Sequence, residues 1–102
     1  MIIVYSVNNT PIRLTEERWR HIINRHPELR EEKEKVLETI TNPDCVQEGD
    51  FGEFLGIKFF DVTPFGSKFL VVAYKEIQKI DGFVITAYFT DKPSERRNIV
   101  WK

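Results

Sequence analysis

The chain has 102 residues, of which 41% are hydrophobic, 13% aromatic and 30% charged. That is the size and make-up of one globular domain, and it excludes a disordered or membrane-embedded chain. Its 15 Lys and Arg nearly cancel its 16 Asp and Glu, leaving a formal net charge of −1, which excludes a uniformly basic nucleic-acid coat but not a local basic patch.

A single cysteine, Cys45, rules out an internal disulfide framework, a Cys-based zinc knuckle and a redox CxxC pair. The N-terminal stretch MIIVYSVNN has no positive n-region and is too short for a signal peptide or membrane span. A cytoplasmic protein with no membrane partner is the expectation; export as part of a larger effector is the alternative.

Residues Ile2 to Val7 are β-rich and end at the turn signal Asn8-Asn9, which predicts a first strand. Thr15 is a good N-cap, and Glu16 and Glu17 complement a helix dipole. A first helix is therefore expected from Glu16 to about His26, where Pro27 disfavours the α conformation of the residue before it. Pro27 can itself open a second helix, expected over Glu28 to Thr41 with the sparse apolar stripe Leu29, Val36, Leu37 and Ile40. The charges between them read as a solvated face with i,i+4 pairs.

From Cys45 onward the period changes to two. Phe54 to Asp61, Lys68 to Ile77 and Gly82 to Thr90 read as three long strands separated by the turn residues Pro64-Phe65-Gly66-Ser67 and Asp81-Gly82. Val46 to Glu48 and Asn98 to Trp101 are shorter candidates. Two N-terminal helices followed by an antiparallel meander predict a single two-layer α+β domain.

Three groups of residues could carry chemistry. On the first helix Trp19, Ile22, Ile23 and His26 share one face, while Arg18, His21 and Arg25 form a neighbouring stripe. Histidine is the natural acid or base near neutral pH, and arginine can donate two hydrogen bonds to a phosphate at once. The alternative for His26 is a plain C-terminal cap of the helix, and Arg25 has the alternative of facing solvent. The two histidines do not share a helical face and no third ligand is evident, so no zinc site is expected.

In the strand from Phe83 to Thr90, alternation sets Phe83, Ile85, Ala87 and Phe89 against Val84, Thr86, Tyr88 and Thr90. Thr86 and Tyr88 either reach one ligand oxygen or histidine ring, or are simply good strand formers. After this strand Lys92, Arg96 and Arg97 form a dense positive cluster, either a phosphate-binding cleft or a solvated charge run. Glycine-rich phosphate loops, GxSxG and HExxH are missing.

Two segments together resemble the barnase/RelE-like ribonuclease superfamily, in its phage and polymorphic-toxin branch. One runs from Leu14-Thr15 through Trp19, His21-Ile22 and Arg25-His26-Pro27-Glu28-Leu29 to a helix ending in Asn42-Pro43-Asp44. The other is Phe69-Leu70-Val71-Val72 with Gly82-Phe83-Val84-Ile85-Thr86-Ala87-Tyr88-Phe89-Thr90. The resemblance implies helices packed on a curved antiparallel sheet and an RNA-cleaving site in the cleft between them. Cleavage would use the 2′-hydroxyl as internal nucleophile, without metal or cofactor.

It makes His26 the main acid/base, His21 its alternate or partner, and Arg25 a phosphate-steadying group. Thr86 and Tyr88 would line the sheet side; Arg18, Lys92, Arg96 and Arg97 are further candidate substrate contacts on the strength of their charge alone, not of the resemblance. The implied partners are RNA and a protein inhibitor or antitoxin. This chain departs from such toxins, which are often basic, in being near neutral. A rival expectation is a non-catalytic binding module on the same scaffold: its eight phenylalanines and its strands apolar on both faces would suit a protein partner or a homodimer.

Overall fold

Two short strands, β1 (Ile2–Tyr5) and β2 (Pro11–Leu14), open the chain and pair antiparallel. The computed structural model describes residues 1–102. The helix α1 (Glu16–Arg25), a 3-10 turn (Pro27–Leu29) and the helix α2 (Lys33–Thr41) follow. The rest is strand: β3 (Cys45–Glu48), β4 (Phe54–Phe60), β5 (Lys68–Gln78), β6 (Asp81–Thr90) and β7 (Ile99–Trp101).

All seven strands form one sheet in the order β1-β2-β6-β5-β4-β3-β7. The domain is α+β, with the two N-terminal helices packed on a mostly antiparallel sheet. The meander β3 to β6 is as expected, but the sheet is mixed, because β2 runs parallel to β6.

The first helix follows its sequence signals. Thr15 accepts a hydrogen bond from the Arg18 amide at 3.0 Å, and Glu16 and Glu17 fill the first turn. His26 ends the helix in a non-helical conformation, while its amide still donates to the Ile22 carbonyl.

The second helix differs from expectation. In place of one helix from Glu28, Leu29 and Arg30 donate backwards to His26 and Pro27 in a tight turn, and α2 starts only at Lys33. The turn buries Leu29 completely, and Glu32 is buried against Lys35 at 2.8 Å. A straight helix would have no reason to break there. Redirecting the chain at Pro27 to Glu32 lets α2 pack across β5, β4 and β1.

β1 is shorter than expected because the chain turns back at Ser6, whose amide donates to the Thr10 carbonyl, with Asn9 in the left-handed region at φ 63°.

The sheet separates two apolar clusters. On the helix side Ile12, Leu14, Leu70, Val72, Tyr74 and Val84 meet Trp19, Ile22, Leu29, Val36 and Ile40. On the other face Leu55, Ile57, Val71 and Ala73 pack with Cys45, Phe69, Ile85 and Tyr88. The simple alternation expected for β6 is interrupted: Ala73 pairs with Thr86 but Tyr74 pairs with Val84, leaving Ile85 as the extra residue of a bulge. Val84, Ala87 and Phe89 therefore face the helices, and Ile85 joins Tyr88 on the opposite side. No helix is long and apolar enough to cross a membrane.

Candidate active site

β2 pairs with β6 only at Arg13 and Phe83, so β6 has no strand neighbour on that side beyond Phe83. The helix α1 continues where β2 stops. An Nη1 of Arg18 lies 3.4 Å from the Ile85 carbonyl oxygen at the bulge, and the His26 ring lies 6.3 Å from the Tyr88 ring at an angle of 34°. The result is a seam between α1 and β6 that opens near Arg13 and Phe83 and ends at His26 and Tyr88.

His26 is not sealed in the core. Its side chain keeps 31% of its surface exposed, and its Nδ1 lies 3.6 Å from a carboxylate oxygen of Glu28. Glu28 therefore faces one ring nitrogen and leaves Nε2 on the other side of the ring. In the sequence Glu28 reads as one of the solvated charges of the second helix. The signal that could have found it is the His-Pro-Glu order itself, because a helix stop at Pro27 folds the next side chain back toward the histidine.

Tyr88 lies on the sheet face away from the helices. With Thr90, Lys92 and Arg97 it lines a small cavity of about 60 Å³, floored by the apolar side chains of Leu55 and Val71. The segment after β6 crosses this face and is fastened at several points. Gln47 Nε2 donates to the Ser94 carbonyl at 2.8 Å, and Lys68 pairs with Asp91. Arg97 donates through both terminal nitrogens to Asp50 at 3.0 and 3.3 Å.

The hydrogen bonds to Asp50 are the main reason that the Arg97 guanidinium is held even more firmly protonated than usual. Desolvation opposes this, and the charges of Asp50 and Glu53 add to it. Two guanidinium nitrogens bonded to Asp50 leave other N–H donors for a ligand. Nothing local in the sequence ties Asp50 to Arg97. Their proximity exists only because β7 returns beside β3.

The remaining expected residues fall in different places. Thr86 shares the Tyr88 face, opposite Ala73. Lys92 is exposed and lies 3.5 Å from Glu95, beside the Tyr88 cavity. Arg96 is exposed and lines an adjoining polar depression with Glu48 and Asp50.

Arg25 is exposed. His21 and Arg18 line a separate cavity at the other end of the seam, so His21 does not share a site with His26. The C-terminal cations and Arg18 likewise line different cavities. Cys45 is a half-buried thiol on the open sheet face, pushed up by burial and then by Asp44, against a lowering effect of Lys102. No three His, Cys, Asp or Glu side chains are grouped to hold a metal ion. No protein-family model, curated protein or solved structure matches the chain.

Proposed function

We propose that the protein is a toxin-like endoribonuclease that cleaves RNA by 2′-hydroxyl transesterification, acting in the cytoplasm. The observation that carries this reading is the meeting of His26 with Tyr88 beside Arg97, at the end of the α1–β6 seam. In-line attack needs a base on the 2′-oxygen, an acid on the departing 5′-oxygen and a cation on the phosphoryl oxygens.

His26 takes the 2′-hydroxyl proton as the 2′-oxygen bonds to phosphorus. Glu28 steadies the imidazolium that forms. The bond from phosphorus to the 5′-oxygen breaks, and the Tyr88 phenol gives its proton to that oxygen. Arg97 donates to the non-bridging oxygens. The products are a 2′,3′-cyclic phosphate and a 5′-hydroxyl, and a proton returning from His26 to Tyr88 resets the site. None of these roles requires a metal or cofactor.

Incubating RNA with the purified protein and a chelator tests the reading. His26→Ala should lower cleavage by about 100- to 10,000-fold, the range general acid–base groups contribute, and Tyr88→Phe should fall in the same range. Undiminished cleavage by His26→Ala would remove that residue from its role.

A second reading, a non-catalytic module, is favoured by the exposure of Phe51, Phe59 and Phe65 and by the exposed outer strand β7. In it these apolar surfaces hold a protein partner or a second copy. Under the first reading the same surfaces would serve a protein inhibitor or a homodimer. Absence of cleavage by the wild-type protein on every RNA offered would favour the module.

A further inference from the structure

The chain leaves β6 at Thr90 and enters β7 at Ile99, and β5, β4 and β3 stand between those two strands in the sheet. At about 4.8 Å per strand the crossing is about 19 Å. Its nine residue steps can reach about 30 Å when extended. The strap from Asp91 to Asn98 therefore has slack, and it can rise from the sheet without detaching β7.

The strap divides the open face. On one side of it lies the Tyr88 cavity of about 60 Å³, and on the other, toward Cys45, Phe69 and Ile99, lies a cavity of about 420 Å³. Lys92, Pro93, Ser94 and Arg97 of the strap line both, as do Gln47 and Ile57 of the sheet. The smaller cavity has room for a few waters and falls well short of small-ligand clefts, which begin at about 300 Å³. With the strap down it is too small for a nucleotide. Raising the strap joins the two cavities into one trough.

The strap's own backbone does not hold it down: residues 91 to 97 make no backbone–backbone hydrogen bond. Its ion pairs, Lys68 with Asp91 and Arg97 with Asp50, use carboxylates 82% and 70% exposed, and exposed pairs hold weakly. Lys92 with Glu95 only joins the strap to itself. The buried fastening is Gln47, 6% exposed, whose Nε2 donates to the Ser94 carbonyl at 2.8 Å. Gln47 itself is fixed in β3, opposite Leu55 on one side and Ile99 on the other.

We propose that residues 91 to 98 form a lid over Tyr88, latched by Gln47, which lifts to admit a ligand strand and in closing returns Arg97 to it. That the strand is RNA rests on the ribonuclease reading above; the lid itself rests on the strap, its slack and its single buried latch.

Val71, 2% exposed on the floor of the Tyr88 cavity, reads the lid without RNA. In a Cys45→Ala background, Val71→Cys puts the protein's one thiol beneath the strap, and its alkylation by iodoacetamide is timed. Leu55→Cys, on the same floor, is the second reporter. Lifting the strap exposes far less surface than unfolding does, so the rate should be nearly flat in low urea. Adding Gln47→Met, which keeps an unbranched side chain but removes the donor, should raise the rate roughly fivefold, the change that one net hydrogen bond makes. Asp50→Asn, at an exposed position, should act in the same direction and serves where Gln47→Met does not fold. A rate that climbs with urea in step with global unfolding, or that neither substitution changes, would overturn the lid. A lid that opens in a protein that leaves RNA whole would uphold the device and remove the ribonuclease reading. RNA cleavage by a protein whose thiol at position 71 stays closed to alkylation would do the reverse.

Discussion

Tyr74 carries a phenol hydroxyl with no hydrogen-bond partner in the middle of the helix-side core, where the residue is 0% exposed. Burial first, and the Glu76 charge second, push its ionisation well above the ordinary tyrosine range. Below pH 10 the phenol is neutral in both folded and unfolded chains. Above it the unfolded chain loses that proton first, so stability falls with rising pH by up to about 1.4 kcal/mol per pH unit.

Tyr74→Phe should keep or raise stability at pH 7, by about 1 kcal/mol at most, because an unsatisfied buried hydroxyl is removed. It should also lose this tyrosine's share of the alkaline destabilisation. Urea denaturation of both proteins from pH 7 to 11 checks each part. At the same scale, His26 and Tyr88 were legible in the sequence, one from the helix-ending proline and the other from strand alternation. Glu28 and Asp50 were not, since what each touches depends on a turn or a returning strand.

The long elements announced themselves and the short ones did not. α1 has a cap, an acidic first turn and a stop, and β4 to β6 have length enough to show their period. β2 has four residues beginning with a proline, too few to display alternation, and the break before α2 lies in a charged stretch that reads equally well as helix.

Two predictions belong to these elements. Thr15→Ala removes the cap of α1 and should cost about 1 kcal/mol in thermal or chemical denaturation. Gly82 sits where β2 approaches β6, and a Cβ there would lie 2.6 Å from the Lys75 carbonyl oxygen and 2.6 Å from Ile12 Cδ1. Gly82→Ala should therefore destabilise by about 1–3 kcal/mol, as overpacked core positions do, and loosen the seam at its Phe83 end. The bulge at Ile85 was hidden for a related reason: alternation read along one strand contains no information about the register of its neighbour.

For the whole molecule, the charge balance is local as well as global. Lys92, Arg96 and Arg97 gather near Tyr88, but Asp50 and Glu95 stand against two of them. Few cations are left to release counterions from a bound strand. With two or three phosphates neutralised, the slope of log affinity against log salt for single-stranded RNA should be only about −1.4 to −2.1. Filter binding between 50 and 200 mM salt checks this, and a much steeper slope would place RNA on a larger basic surface than the seam offers.

The chemistry of the cut decides whether the 2′-hydroxyl is the nucleophile. An RNA that the protein cleaves at one mapped position is compared, in the presence of a chelator, with the same RNA carrying a 2′-deoxy sugar on the 5′ side of that bond. An internal 2′-hydroxyl nucleophile leaves a 2′,3′-cyclic phosphate and a 5′-hydroxyl on the first RNA and makes no cut at that bond in the second, whereas cleavage of the deoxy-substituted bond would overturn the proposed reaction.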